Sequence, residues 1–223
     1  MDNIETLRLH GLFDTKAPRY TSYPPANHFG NGVGQVNQLN WLRSVPSDRG
    51  VSVYIHIPFC QRLCRFCASR TQGVKSMRPV DAYVDSLRAE IRAVGAAMPD
   101  GIHMARLHIG GGTPTVLPPD TMSRLLGAVF DTFATTGDFE FSVEIDPTEE
   151  QSAVLDVLIG AGMNRASLGV QDFSPMVQAA IGRAQTRDQT RDVLAYLRSK
   201  GVNALNLSAL YGLPLQTLQS FRD

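Results

Sequence analysis

The sequence predicts an α/β fold in which a parallel sheet winds into part of a TIM-like (β/α) barrel. Three observations predict it. From residue 51 onward, five short apolar runs bounded by Gly, Pro or other turn formers alternate with stretches of helical periodicity. Strands that alternate with helices join through right-handed crossovers, so they lie parallel. The glycines after the second run, in Gly110-Gly111-Gly112-Thr113-Pro114, lack the G-x-G-x-x-G spacing and do not open directly into a helix. That favours a barrel over an open dinucleotide-binding sheet.

Residues 1–50 read as an extended, wrapping N-terminal segment, because KAPRYTSYPPANHFGNGVGQ is rich in Pro, Gly and Asn. A short helix is expected over 37–45, around Trp41 and Leu42. The barrel part, residues 51–223, opens with a strand at 51–57 and a cysteine-bearing loop. Residues 80–98 place Val80, Tyr83, Val84, Leu87, Ile91, Val94 and Met98 at helical spacing, with Pro79 just before the start. A strand at 105–109 leads to a helix at 119–135, carried by Met122, Leu125, Leu126, Val129, Phe130 and Phe133. Strands at 139–145, 166–170 and 202–210 and helices at 150–159 and 187–199 complete the pattern, with Gly160 and Gly201 as helix stops. The chain ends at Asp223, where the next helix should begin, so the expectation is a piece of a longer protein whose C-terminal part is missing. In such folds chemistry collects at the C-terminal ends of the strands. That rule puts the cysteine loop, the GGGTP turn, Glu144, Gln171 and the YGLP segment on one rim.

Bulk composition narrows the class. Lys+Arg and Asp+Glu both number 21, so no field of one sign exists to hold nucleic acid or an anionic membrane. No apolar run approaches a bilayer span, and the N-terminus lacks the pattern of a secretory signal. The expectation is a cytoplasmic globular protein, monomeric, with neither nucleic acid nor membrane as partner.

The cysteines say more. There are three, Cys60, Cys64 and Cys67, all within eight residues. An odd number in one short loop does not make a disulfide framework; it suggests a soft metal centre. Three thiolates can hold three irons of a cubane cluster and leave the fourth open. Zinc is the competing occupant, with His56 completing a Cys₃His set, and three unrelated buried thiols are the plainest alternative.

The C-x-x-x-C-x-x-C loop after YIHIPF, together with HIGGGTPT at 108–115, resembles the radical S-adenosylmethionine (SAM) superfamily. PRYTSYP at 18–24, VEIDP at 143–147, NRASLGVQDF at 164–173 and LYGLP at 210–214 make the chain similar to the oxygen-independent coproporphyrinogen III oxidase family. The resemblance implies a partial barrel of the radical SAM type. It implies a [4Fe–4S] cluster on Cys60, Cys64 and Cys67 whose open iron chelates SAM, which is then cleaved to methionine and a 5′-deoxyadenosyl radical. It further implies two SAM molecules, with Tyr54, Gly111 and Glu144 at positions that contact the first. Phe66, Gly112, Thr113, Gln171 and Arg183 stand at positions assigned to the second. The residue types suit these roles: glycines let backbone approach a ligand, Glu144 can accept from hydroxyls, and Arg183 can fork onto a carboxylate.

Under the same resemblance the substrate is coproporphyrinogen III, decarboxylated at two propionates to protoporphyrinogen IX, with an electron donor and acceptor the sequence does not identify. Tyr20, Thr21, Ser22 and Tyr23 are expected near that substrate, and Arg19 and Arg183 near its carboxylates. No catalytic residue is assigned beyond the cofactor sites. A haem-binding or haem-delivery relative is the alternative function. Two positions depart from the family pattern: Ser69 stands where a fourth cysteine is usual, and Ser208 where an aspartate is usual. The first should leave cluster binding intact and the second should weaken the second SAM. Little turnover is expected of this chain alone.

Overall fold

The computed structural model describes residues 3–11, 23–149 and 152–222. The expectations for Arg19, Tyr20, Thr21 and Ser22 lie outside the described residues. The chain divides into two units, Met1–Trp41 and Leu42–Asp223, whereas the sequence reading put the junction at residue 50. The first unit holds α1 (Asn3–Leu9), a 3₁₀ turn (Ala26–His28) and most of α2 (Gln35–Arg43), which runs across the division. The helix expected at 37–45 is therefore present two residues earlier, and α1 is an addition.

The second unit runs β1 (Val51–Ile57), β2 (Phe59–Cys60), β3 (Gln72–Gly73), α3 (Arg78–Ala97), β4 (His103–Gly111), α4 (Pro119–Thr132), β5 (Ala134–Ile145), α5 (Ser152–Gly160), β6 (Arg165–Gln171), α6 (Pro175–Ile181), α7 (Arg187–Ser199), β7 (Ala204–Ala209) and α8 (Leu218–Arg222). Five strands pair in the order β1-β4-β5-β6-β7, every pair parallel. Spatial order follows sequence order, so the sheet has no switch point and forms an arc of a barrel.

Strand side chains alternate between two faces. Ile55, Ile57, Leu107, Ile109, Phe141, Val143 and Leu168 turn outward and share one core with Val80 and Val84 of α3, Leu125 and Val129 of α4, Leu155 and Leu158 of α5 and Leu197 of α7. Burial of these faces supplies the main driving force for the arc. The opposite face carries Ser52, Tyr54, Arg106, His108, Glu140, Ser142, Arg165, Ser167 and Asn206, which line a polar hollow. Local signals agree with the packing. Pro119 opens α4, and Thr186 and Gln189 close a reciprocal capping box at the start of α7.

The boundaries differ where backbone pairing outruns the apolar pattern. β5 begins at Ala134, pairing with His103, five residues before its apolar run. α6 was not expected. Among the described residues no helix is long and apolar enough to cross a membrane.

Candidate functional site

The cysteine loop hangs from a two-residue parallel ladder. Phe59 pairs with Gln72 and Cys60 with Gly73, so residues 61–71 leave and return at one point beside the end of β1. The adjoining GGGTP turn is sewn to the same point: Gly112 N–H donates to Ile57 O at 2.8 Å and Thr113 N–H to Phe59 O at 2.8 Å. The far side of the loop is fastened to α6, where Arg65 N–H donates to Ile181 O at 2.9 Å and its guanidinium to Ala180 O at 3.1 Å.

Two glycines permit this closeness. Gly111 has φ of +122°, a conformation other residues rarely adopt. A Cβ on Gly112 would lie 2.5 Å from Phe59 O and 2.8 Å from Cys60 Sγ. The turn therefore presents bare backbone to the cysteines.

A cavity of about 220 Å³ opens between the loop and the strand ends. The three cysteines, Phe66, Gly111, Gly112, Thr113, Glu144, Gln171 and Arg183 all line it, together with Ser69 and Ser208. Residues from six separate stretches of the sequence thus meet on one rim. Tyr54 is the exception: it lies on the polar face, 56% exposed, and is absent from the cavity lining. Its ring stacks on His108 with centroids 5.6 Å apart and planes 15° apart.

Charge in the cavity is specific. Cys60 is buried, and burial pushes its thiol pKa up, with Cys67 and Cys64 adding to the rise and a hydrogen bond from Thr113 opposing it. Thr113 Oγ1 lies 3.7 Å from Cys60 Sγ. Cys64 is half-buried and Cys67 exposed. Glu144 is held below the ordinary carboxylate range, first by His108 and then by the Gly111 N–H, against the cost of burial. It is thus a fixed, ionised acceptor at the rim.

Arg183 behaves otherwise than a free fork. Its guanidinium pairs with Asp146 at 3.1 Å, donates to Gly169 O at 3.0 Å and to Gln185 Oε1 at 3.1 Å, and sits 3.7 Å from Cys64 Sγ. The carboxylate that it forks onto is the chain's own.

Gln171 gives the clearest sign of a missing ligand. Its backbone is left-handed, with φ of +69°, and its Oε1 is buried without a hydrogen-bond partner among the described residues. A non-glycine residue in that conformation, with an orphaned acceptor on a side chain that borders a cavity, is a common mark of a binding site.

The donor set fits a cluster better than zinc. Both ring nitrogens of His56 are engaged, Nδ1 with Tyr54 Oη and Nε2 with Arg70 O, each at 2.9 Å, so His56 is not a spare fourth ligand. Three soft thiols on one loop beside a cavity with bare backbone, an ionised Glu144 and an orphaned Gln171 suit a cubane with one open iron and a polar ligand docked on it.

The sequence reading did not single out Asp146, His108, Ser167 or Thr71. Asp146, His108 and Ser167 lie inside the motifs VEIDP, HIGGGTPT and NRASLGVQDF.

Comparison with known proteins gives an independent view. The model of the radical SAM superfamily matches residues 54–223. The chain is 47% identical over 216 residues to the oxygen-independent coproporphyrinogen III oxidase of Paracoccus denitrificans, covering 97% of this chain and 48% of that protein. It is 39% identical over 215 residues to the enzyme of the same name from Escherichia coli, covering 96% and 47%. The solved structure of coproporphyrinogen III oxidase (HemN) from Escherichia coli, described as a radical SAM enzyme, superposes with a TM-score of 0.85 at 38% identity, over 91% of this chain and 46% of that one. The chain spans about half the length of the curated relatives that it matches.

Proposed function

The chain belongs to the radical SAM superfamily, and from that premise we propose that it carries the cluster- and SAM-binding region of an oxygen-independent coproporphyrinogen III oxidase. The observation that carries the proposal is the convergence of Cys60, Cys64 and Cys67 with Gly111, Gly112, Glu144 and the orphaned Gln171 Oε1 around one cavity. The likeness to proteins named for that activity, spread over nearly the whole chain, favours it over haem delivery.

Cys60, Cys64 and Cys67 would hold a [4Fe–4S] cluster, and SAM would lie across the GGGTP turn. When bound, the pair would supply one-electron reduction of a sulfonium, which starts hydrogen abstraction from a substrate propionate, whose carboxylate then leaves as CO₂ to give a vinyl group and an electron for the separate acceptor. The residues of this chain bind and orient. Gly111 and Gly112 let a ligand reach the backbone beside the cysteines. Glu144 stays ionised and accepts from ligand hydroxyl or ammonium groups. Gln171 Oε1 takes the hydrogen bond that it lacks. Arg183 braces Asp146 and the cavity wall, with its positive charge beside Cys64.

A second SAM is part of the proposal, bound more weakly than the first. Its pocket would use Phe66, Gly112, Thr113, Gln171 and Arg183, but Arg183 is spent on Asp146 and Gly169. Ser208 offers a neutral hydroxyl where a carboxylate would hold a hydroxyl-rich ligand. The substrate is coproporphyrinogen III, the electron donor and acceptor are separate partners, and the setting is the reducing cytoplasm, which suits three free thiols in one loop.

Anaerobic reconstitution with iron and sulfide tests the reading. The expected result is an iron–sulfur absorption band, iron and sulfide in equal number, and formation of 5′-deoxyadenosine from SAM under a strong reductant. Material that stays colourless, or that binds only zinc, overturns it.

A further inference from the structure

We propose that His108 is a positioning residue: its imidazole, hydrogen-bonded to Ser142 and stacked on Tyr54, holds the Glu144 carboxylate in its SAM-binding pose. The proposal rests on the reading of Glu144 as a SAM-binding acceptor.

Register makes the arrangement. His108 of β4 pairs with Ser142 of β5, so the two side chains stand side by side on the polar face. Glu144 is two residues further along β5, on the same face and one step nearer the rim. His108 Nδ1 lies 2.6 Å from Ser142 Oγ, and His108 Nε2 lies 3.6 Å from Glu144 Oε1. The second oxygen, Oε2, accepts from Gly111 N–H at 3.0 Å. One carboxylate oxygen is thus fixed by the glycine turn, and the other faces the imidazole.

The proton positions follow from chemistry. An ionised carboxylate only accepts, so the neutral tautomer of His108 that favours Glu144 carries its hydrogen on Nε2. Nδ1 is then a bare acceptor, and Ser142 is the hydroxyl that can donate to it. The 3.6 Å separation is an electrostatic contact, longer than a hydrogen bond, which leaves Glu144 Oε1 with lone pairs to spare for a ligand.

Tyr54 ties this pair to the cysteine loop. Its ring stacks on His108, and its hydroxyl reaches His56 Nδ1 at 2.9 Å. His56 Nε2 in turn lies 2.9 Å from Arg70 O, at the end of the cysteine loop, and a carbonyl can only accept. His56 therefore carries its hydrogen on Nε2 and receives one from Tyr54. Loop, β1, β4 and β5 are thereby linked in one ordered chain that ends at Glu144.

The test compares His108→Ala, His108→Gln, Glu144→Gln and the double variant His108→Ala/Glu144→Gln, each reconstituted with iron and sulfide. SAM affinity is measured by equilibrium dialysis, beside iron content and thermal melting. Glutamine places an amide N–H near the Nε2 position. His108→Ala is expected to weaken SAM binding about tenfold and His108→Gln to restore it to within about threefold, as a polar contact to a charged group is worth. In the Glu144→Gln background the loss from His108→Ala should shrink below about threefold, because the charge that the imidazole faces is already gone.

An undiminished loss in that background, or an affinity within about twofold of the parent for His108→Ala, overturns the proposal. So does a parallel fall in melting temperature that glutamine does not restore. ¹⁵N NMR of the histidines in the cluster-free chain separates the two levels. A neutral His108 with its proton on Nδ1 sinks the positioning role alone, whereas a parent chain that fails to bind SAM sinks the reading of the site and this role with it.

Discussion

Arg183 and Asp146 form a buried ion pair 3.1 Å apart, with side chains only 10% and 13% exposed. The guanidinium also bonds Gly169 O and Gln185 Oε1, so nearly all of its donors are satisfied inside the protein. Breaking such a pair from one side leaves a charge without compensation, which costs more than the pair contributes. Arg183→Leu is expected to lower unfolding free energy by about 3 kcal/mol. Arg183→Leu/Asp146→Leu should recover most of that loss, because no charge is stranded. Urea unfolding of the three proteins checks it, and equal destabilisation of the single and double variants would show the pair to be incidental.

The elements legible in the sequence were those whose side chains alternate or recur over a full face. β1 appears as expected at Val51–Ile57, and α3 and α4 follow the apolar spacing that predicted them. The start of β5 was hidden because Ala134 and Thr135 join the sheet through backbone pairing rather than apolar side chains. α6, PMVQAAI, has seven residues and is too short for a helical period to declare itself. The site divided in the same way. Cysteines and glycines are adjacent in the chain, so motif spacing found them. The Arg183–Asp146 pair, the His108–Ser142 contact and the displacement of Tyr54 from the cavity depend on strand register, which periodicity does not encode. Arg183 was expected to fork onto a ligand carboxylate for the same reason: nothing local in the sequence marks Asp146 as its partner.

Gly112→Ala tests the close approach of turn and loop. The added methyl would meet Phe59 O at 2.5 Å and Cys60 Sγ at 2.8 Å, and the former is backbone that cannot swing aside. The turn or the cysteine loop must shift. The expected outcome is a stability loss of about 2 kcal/mol together with reduced iron loading. Gly127→Ala, where the new atom meets nothing within 4 Å, is the control and should be neutral or slightly stabilising.

Single Cys60→Ala, Cys64→Ala and Cys67→Ala substitutions should each abolish most of the iron–sulfur absorption and leave the secondary-structure spectrum intact, since the barrel core lies on the other face of the sheet. Ser69 also lines the cavity, but the proposed ligand set is the three cysteines alone. Ser69→Cys is therefore expected to leave the iron content per chain unchanged. A rise in iron with that variant would mean that a fourth thiol is needed after all.

Glu149 gives stability a pH dependence opposite to that of an ordinary salt-bridged carboxylate. Burial, reinforced by the nearby negative charge of Asp146 and only partly offset by Arg62 and Arg183, raises its pKa from 4.5 to about 7. Its Oε2 has no hydrogen-bond partner among the described residues, so no hydrogen bond to that oxygen favours the ionised form. Between those two pKa values the folded chain binds a proton that the unfolded chain releases, so folding grows less favourable as pH rises through the window. Glu149→Gln mimics the protonated side chain at every pH. It should match the parent near pH 4, where both states of the parent are neutral at this position, and exceed it by about 1 kcal/mol above pH 7, a value reduced from the full shift because the group is part-exposed and screened. Urea unfolding of the cluster-free chain at the two pH values measures the difference directly. A glutamine variant less stable than the parent above pH 7 would mean that Arg62 and Arg183 do more for the ionised carboxylate than burial and Asp146 do against it.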